Sequence, residues 1–91
     1  MEIWKFPFVV RDTVQIVMPE GAEIMKLGRI SSGRLAIWAL VDTEAKRAIV
    51  NLRVIGTGHR IHGLDMLDYI DTAFDRPFVW HVFRDASQEV A

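Results

Sequence analysis

Hydrophobic and polar positions alternate in short runs along this chain, and prolines and glycines interrupt the runs in the rhythm of an antiparallel sheet. In the first run Trp4, Phe6, Phe8 and Val10 interleave with Ile3, Lys5, Pro7 and Val9. Successive strand side chains point to opposite faces, so three aromatics share one face. Pro7 lacks a backbone donor, which favours an edge position. Val14 to Met18 forms a second strand, and Met18-Pro19-Glu20-Gly21 carries proline second and glycine fourth, as in a type I turn. A third strand runs from about Glu23 to Ile30 and turns through Ser31-Ser32-Gly33.

Leu35 to Val41 is apolar on both faces, the pattern of a central strand covered by a second sheet or a second subunit. Asp42 to Lys46 is polar and loops out. From Arg47 to Ile55, Ala48, Val50, Leu52 and Val54 point one way, while Arg47, Asn51 and Arg53 point the other with Ile49 and Ile55. Gly56 to Gly63 reads as a loop. The following stretch carries two periods at once: Met66, Tyr69, Ile70, Ala73 and Phe74 fit a helix, whereas Ile70, Thr72 and Phe74 fit alternation. A short helical turn near Leu64 to Leu67 leading into a strand reconciles them. Asp75-Arg76-Pro77 turns the chain into a last strand, Phe78 to Phe83.

These runs predict a mostly β fold, a small antiparallel sandwich or partly open barrel of six or seven short strands. An α+β arrangement with one short helix is the alternative. The expected organisation is a single domain over 1–84 and a frayed tail over 85–91.

The chain has 91 residues, of which 51% are hydrophobic and 25% charged, so it is a globular domain and not a disordered tail. Burial at about 25 cal/mol per Å² contributes on the order of 140 kcal/mol. Ordering the chain at about 1.5 kcal/mol per residue costs nearly the same. Self-association would widen that margin, and a β-mediated homodimer is expected.

Eleven basic and twelve acidic side chains leave a net charge of −1. No basic stripe invites duplex nucleic acid, and no acidic run imitates one. Without cysteine, disulfides, thiolate catalysis and Cys-based metal centres are excluded. The absence of a long apolar run or a signal-peptide pattern points to a cytoplasmic protein with no membrane partner.

Six words recur here in order: Trp4-Lys5-Phe6-Pro7, Met18-Pro19-Glu20-Gly21-Ala22, Trp38-Ala39-Leu40-Val41-Asp42, Gly56-Thr57-Gly58-His59, Tyr69-Ile70-Asp71-Thr72 and Val79-Trp80-His81-Val82-Phe83. Through them nearly the whole chain resembles a family of short uncharacterised proteins of bacteriophages and prophages. The resemblance implies an intracellular setting and a small accessory protein that binds host components or counters host defence. The chain departs from the family pattern after His59, where Arg60-Ile61-His62-Gly63-Leu64-Asp65 is more basic than the proline-containing loop of the family.

The segment with candidate chemistry is Gly56-Thr57-Gly58-His59-Arg60-Ile61-His62. Two glycines let backbone amides converge on an anion, Thr57 adds a hydroxyl, and His59 and Arg60 add charge-assisted donors. Arg53 reaches the same rim from the preceding strand. The candidate ligand-binding set is therefore Arg53, Gly56, Thr57, Gly58, His59, Arg60 and His62, for a small nucleotide-like anion. The plainer account is that the glycines serve a turn and the basic groups face water. Neither a Walker A lysine nor a dinucleotide-binding turn is present.

His59, His62, Asp65 and Asp68 invite a metal, but their spacing aligns only on a helix and this is a loop, so no metal or cofactor is expected. No catalytic set stands out. Ser31-Ser32-Gly33 is a turn and not a nucleophile elbow, and Asp71 or Asp75 paired with a histidine is a combination that any chain offers. His81 reads as a hydrogen-bonded histidine on the sheet surface. Trp4, Trp38, Trp80, Phe6, Phe8, Phe74, Phe78 and Phe83 would make a base-stacking platform if exposed, but a small domain needs them as core.

The leading expectation is a non-enzymatic binding protein, a counter-defence or host-modulating inhibitor that docks a host protein through its sheet surface. The alternatives are anion capture by the Gly56–His62 loop and a small hydrolase or nucleotide-processing enzyme centred on His59, His62 and a nearby aspartate.

Overall fold

The computed structural model describes residues 1–88. Seven strands follow in order: β1 (Glu2–Val9), β2 (Thr13–Pro19), β3 (Glu23–Ser31), β4 (Arg34–Val41), β5 (Arg47–Gly56), β6 (Leu67–Asp75) and β7 (Phe78–Asp85). Among the described residues, helical geometry is confined to two 3-10 turns, Leu64–Met66 and Ala86–Gln88. The first of these leads directly into β6.

The strands form two antiparallel sheets, β1-β4-β3 and β2-β5-β7-β6, packed as an open sandwich that does not close into a barrel. β1 pairs only with β4, so Pro7 sits in an edge strand. Phe8, Leu27, Leu35, Ile37 and Val41 from the small sheet meet Ile16, Met18, Leu52, Val54 and Val82 from the large one. The apolar inner face of β4 is thus covered by the second sheet. Its outer face is covered within the chain: Trp38 lies against Gly28, where an added Cβ would stand 3.1 Å from the indole, and the Lys5 ammonium sits 5.7 Å from the ring centroid.

Several sequence expectations need correction. Trp38 faces outward, and Phe74 and Phe78 are exposed, so the aromatic set is divided between core and surface. The first turn lies one residue later than the proline suggested: Ala22 N donates to Pro19 O over 3.1 Å, with Gly21 at φ +79° in third place, as in a type II turn. Gly56 closes β5 and does not open the loop.

The double periodicity before β7 also has a cause. A bulge in β6 shifts the register between Tyr69 and Asp71. Tyr69, Thr72 and Phe74 pair with the outward-facing Phe83, His81 and Val79, while Ile70 packs on the core and Asp71 opposes the buried Val82. Two consecutive inward residues break a period of two and imitate a helical one. At the C-terminal end β7 includes Asp85, which is buried, and the remainder of the expected tail beyond Gln88 lies outside the described residues.

Candidate functional site

The bulge aims Asp71 and Asp75 at the edge of β3, across the open side of the sandwich. Asp75, 2% exposed, accepts from Arg29 Nε at 2.8 Å, the Gly33 amide at 2.9 Å and Trp80 Nε1 at 3.2 Å. Led by the Arg29 hydrogen bond, these donors hold its carboxyl below the ordinary aspartate range. Asp71 accepts from the Leu27 amide at 3.4 Å and stands 3.3 Å from the Lys26 ammonium. Burial would raise its carboxyl, but the Thr72 and Leu27 amides and Lys26 outweigh that and lower it. Asp85 is lowered too, chiefly by the hydroxyl and amide of Ser87. All three carboxylates are committed to structural donors. Among the described residues neither His59 nor His62 has a carboxylate partner within hydrogen-bond reach.

The loop after β5 is exposed from Thr57 to Gly63. It is tied down by its own backbone. Thr57 N donates to Val79 O at 3.2 Å and His59 N to Gly56 O at 3.1 Å, so these two amides are spent inside the protein and build no anion nest. Gly58, at φ +88°, supplies the turn. Gly56 admits Trp80, whose ring would lie 3.3 Å from an added Cβ. Arg53 reaches over to donate from Nη1 to His62 O at 3.1 Å and straps the loop to the sheet.

Beneath the strap lies a recess of about 230 Å³ lined by Asp12, Arg53, Val54, Ile55, His59, Arg60 and His62. The fold therefore gathers Arg53, His59, Arg60 and His62 around one hollow. Gly56, Thr57 and Gly58 shape its approach without lining it. Asp65 and Asp68 do not line it either, and among the described residues no three metal-ligating side chains come together. The carboxylate at the hollow is Asp12, which the sequence reading passed over. The signal that places it is the β2–β5 register: Thr13 opposes Arg53, and the preceding carbonyl of Asp12 accepts from Val54 N at 3.0 Å.

A second constellation occupies the outer face of the large sheet. Thr57 Oγ1 lies 2.7 Å from His81 Nε2, His81 Nδ1 lies 2.9 Å from Thr72 Oγ1, and Thr72 Oγ1 lies 2.6 Å from the Tyr69 hydroxyl. A neutral imidazole donates through one nitrogen and accepts through the other, so this chain runs from the loop after β5 across β7 to β6 with every link made. Tyr69 packs edge-on against Phe83 with ring centroids 5.5 Å apart. Beside this polar centre the exposed Tyr69 and Phe74 stand on β6, while the exposed cross-strand pair Val17 and Ile49 lies toward the other end of the sheet, on β2 and β5.

No helix among the described residues is long and apolar enough to cross a membrane. Residues 1–91 match the model of a family described as a domain of unknown function, DUF7352, and the chain belongs to that family. No curated protein and no solved structure matches it.

Proposed function

We propose that this member of the family is a non-enzymatic accessory protein of phage or prophage origin, active in the host cytoplasm. In this reading it binds a host protein on the outer face of its four-stranded sheet, as an inhibitor or counter-defence factor. One observation carries the proposal. Tyr69 and Phe74 remain 59% and 72% exposed on a face whose polar centre is already satisfied internally. Large apolar side chains around a hydrogen-bonded centre offer a partner contact area at little desolvation cost, because the polar groups beneath need no new donors. The small sheet's outer face also exposes Ile3 and Val9, but its largest ring, Trp38, packs on Gly28 beside Lys5. The phage setting rests on the sequence resemblance alone.

The test is affinity capture from host lysate followed by calorimetry with the purified captured protein. The expected result is one host protein held by the native chain and released by Phe74→Ser and Tyr69→Ser, each weakening binding by at least tenfold. Equal retention by the native chain and both variants would remove the sheet face from the reading. Capture is to be run at concentrations where sedimentation has fixed whether the chain is a monomer or the homodimer proposed from its composition, since a dimer through this face would compete with a partner.

A further inference from the structure

The geometry points to the hollow beneath the Arg53 strap as a site for the phosphoryl group of a small phosphate monoester. The charge is one reason. Arg53 and Arg60 line the hollow, and among the described residues neither has a carboxylate within 4.0 Å. Arg29 and Arg47 differ, the first paired with Asp75 and the second lying over the Trp4 ring. Asp12 shares the hollow with the two guanidinium groups, and Asp85 acts on Arg53 through space without contacting it. His59 and His62 add two imidazoles to the same rim.

Organisation is the second reason. The Arg53 guanidinium carries five N–H donors and spends one on His62 O, so it is held in place with donors to spare. The opposite wall is fixed by the Asp12 to Val54 backbone hydrogen bond, and the loop by the His59 to Gly56 one. Little ordering remains to be done on binding, which preserves affinity. Ile55, on the same face of β5 as Arg53, is only 7% exposed, whereas Val54 faces the core.

Shape and size choose the ligand class. Two guanidinium groups and two imidazoles on one rim offer more donors than a planar carboxylate, which one Arg fork would satisfy, and suit a tetrahedral oxyanion better. At about 230 Å³ the hollow falls below the roughly 300 Å³ at which pockets begin to enclose whole small molecules. It takes the phosphoryl end and leaves the rest of the ester in solvent. None of the residues assigned to protein docking, Tyr69, Phe74, Val17 or Ile49, lines it, so the two readings stand or fall separately.

The test is an NMR titration of the full chain at constant ionic strength, following the His59 and His62 imidazole and Arg53 and Arg60 side-chain signals. The probes are inorganic phosphate, methyl phosphate, AMP, adenosine and acetate. Saturable shifts at millimolar phosphate and methyl phosphate are expected, with acetate at least tenfold weaker and adenosine inert. AMP should bind within about threefold of methyl phosphate. Arg60→Ala should weaken phosphate by at least tenfold while leaving the amide spectrum elsewhere unchanged, and Arg53→Lys, which keeps the charge but loses the fork, should weaken it by a smaller factor. An absence of saturation, acetate equal to phosphate, or unchanged binding in Arg60→Ala would overturn the site. AMP more than tenfold tighter than methyl phosphate would overturn its restriction to the phosphoryl end.

Discussion

The seam between β3 and β6 and the loop after β5 are built from the same side-chain types, and they dispose of charge in opposite ways. At the seam Asp75 is buried against Arg29, an amide and an indole. At the loop Arg53 and Arg60 stand over a recess with Asp12, neither touches a carboxylate, Arg53 is anchored by the His62 carbonyl, and Asp85 acts on it only through space. A charge whose every partner lies within the protein serves the fold. A charge positioned by hydrogen bonds yet touching no counter-charge has capacity for a ligand. The comparison gives each region a different sensitivity to substitution.

The largest effect is expected at the seam. Asp75→Ala strips the acceptor from Arg29 Nε, Gly33 N and Trp80 Nε1 together, and orphaned donors at a buried position are costly. The thermal midpoint should fall by about 10 °C, measured by circular dichroism. A drop within about 2 °C would mean that the seam does not hold the open side of the sandwich shut.

That same seam marks the limit of what the sequence disclosed. Strand number, the covered faces of β4 and the half-solvated β5 were legible because alternation reports directly on which side of a sheet is buried. Asp71 and Asp75 were not, because their roles depend on a bulge that inverts the facing of one stretch and on an edge strand forty residues away in sequence. The candidate loop was legible as exposed and basic. Its anion nest was not realised, since backbone amides are claimed by whichever carbonyl lies closest, here Val79 and Gly56. Asp12 was invisible until the β2–β5 register set it beside Arg53. Trp38, too, looked like core, and only its packing on Gly28 shows how a large aromatic is covered from outside.

Acid should separate the regions next. Asp71, Asp75 and Asp85 all titrate lower in the folded chain than in the unfolded one, where the reference is 3.8. The unfolded state therefore binds protons first as pH falls. The stability these groups supply is complete above about pH 4 and is lost as pH drops through their lowered folded values. Urea midpoints measured downward from pH 5 should decline, and Asp75→Asn, already without its charge, should decline less steeply. Parallel slopes for native chain and variant would assign the acid sensitivity to other carboxylates.

A smaller effect is expected from cutting the strap. Arg53→Gln removes the hydrogen bond to His62 O at a partly exposed position, which costs about 0.5 to 1 kcal/mol at most. Amide exchange should quicken between Thr57 and Gly63 and stay unchanged at Leu27 and Gly33 across the molecule. Faster exchange at both places would show that loop and seam form one cooperative unit and would dissolve the contrast.

The smallest change is expected at Arg60, and it is the sharpest discriminator. Arg60 is exposed, pairs with no carboxylate among the described residues, and supports no backbone hydrogen bond with its side chain. Surface substitutions away from caps, ion-pair networks and special backbone conformations usually stay within about 0.5 kcal/mol. The thermal midpoint of Arg60→Ala should accordingly stay within about 3 °C of the native chain in phosphate-free buffer. Adding phosphate should then raise the native midpoint and leave that of the variant in place, because a ligand stabilises only the state that binds it. If Arg60→Ala instead lost as much stability as Asp75→Ala in the absence of any ligand, the loop would be a second seam, and its charge would belong to the fold.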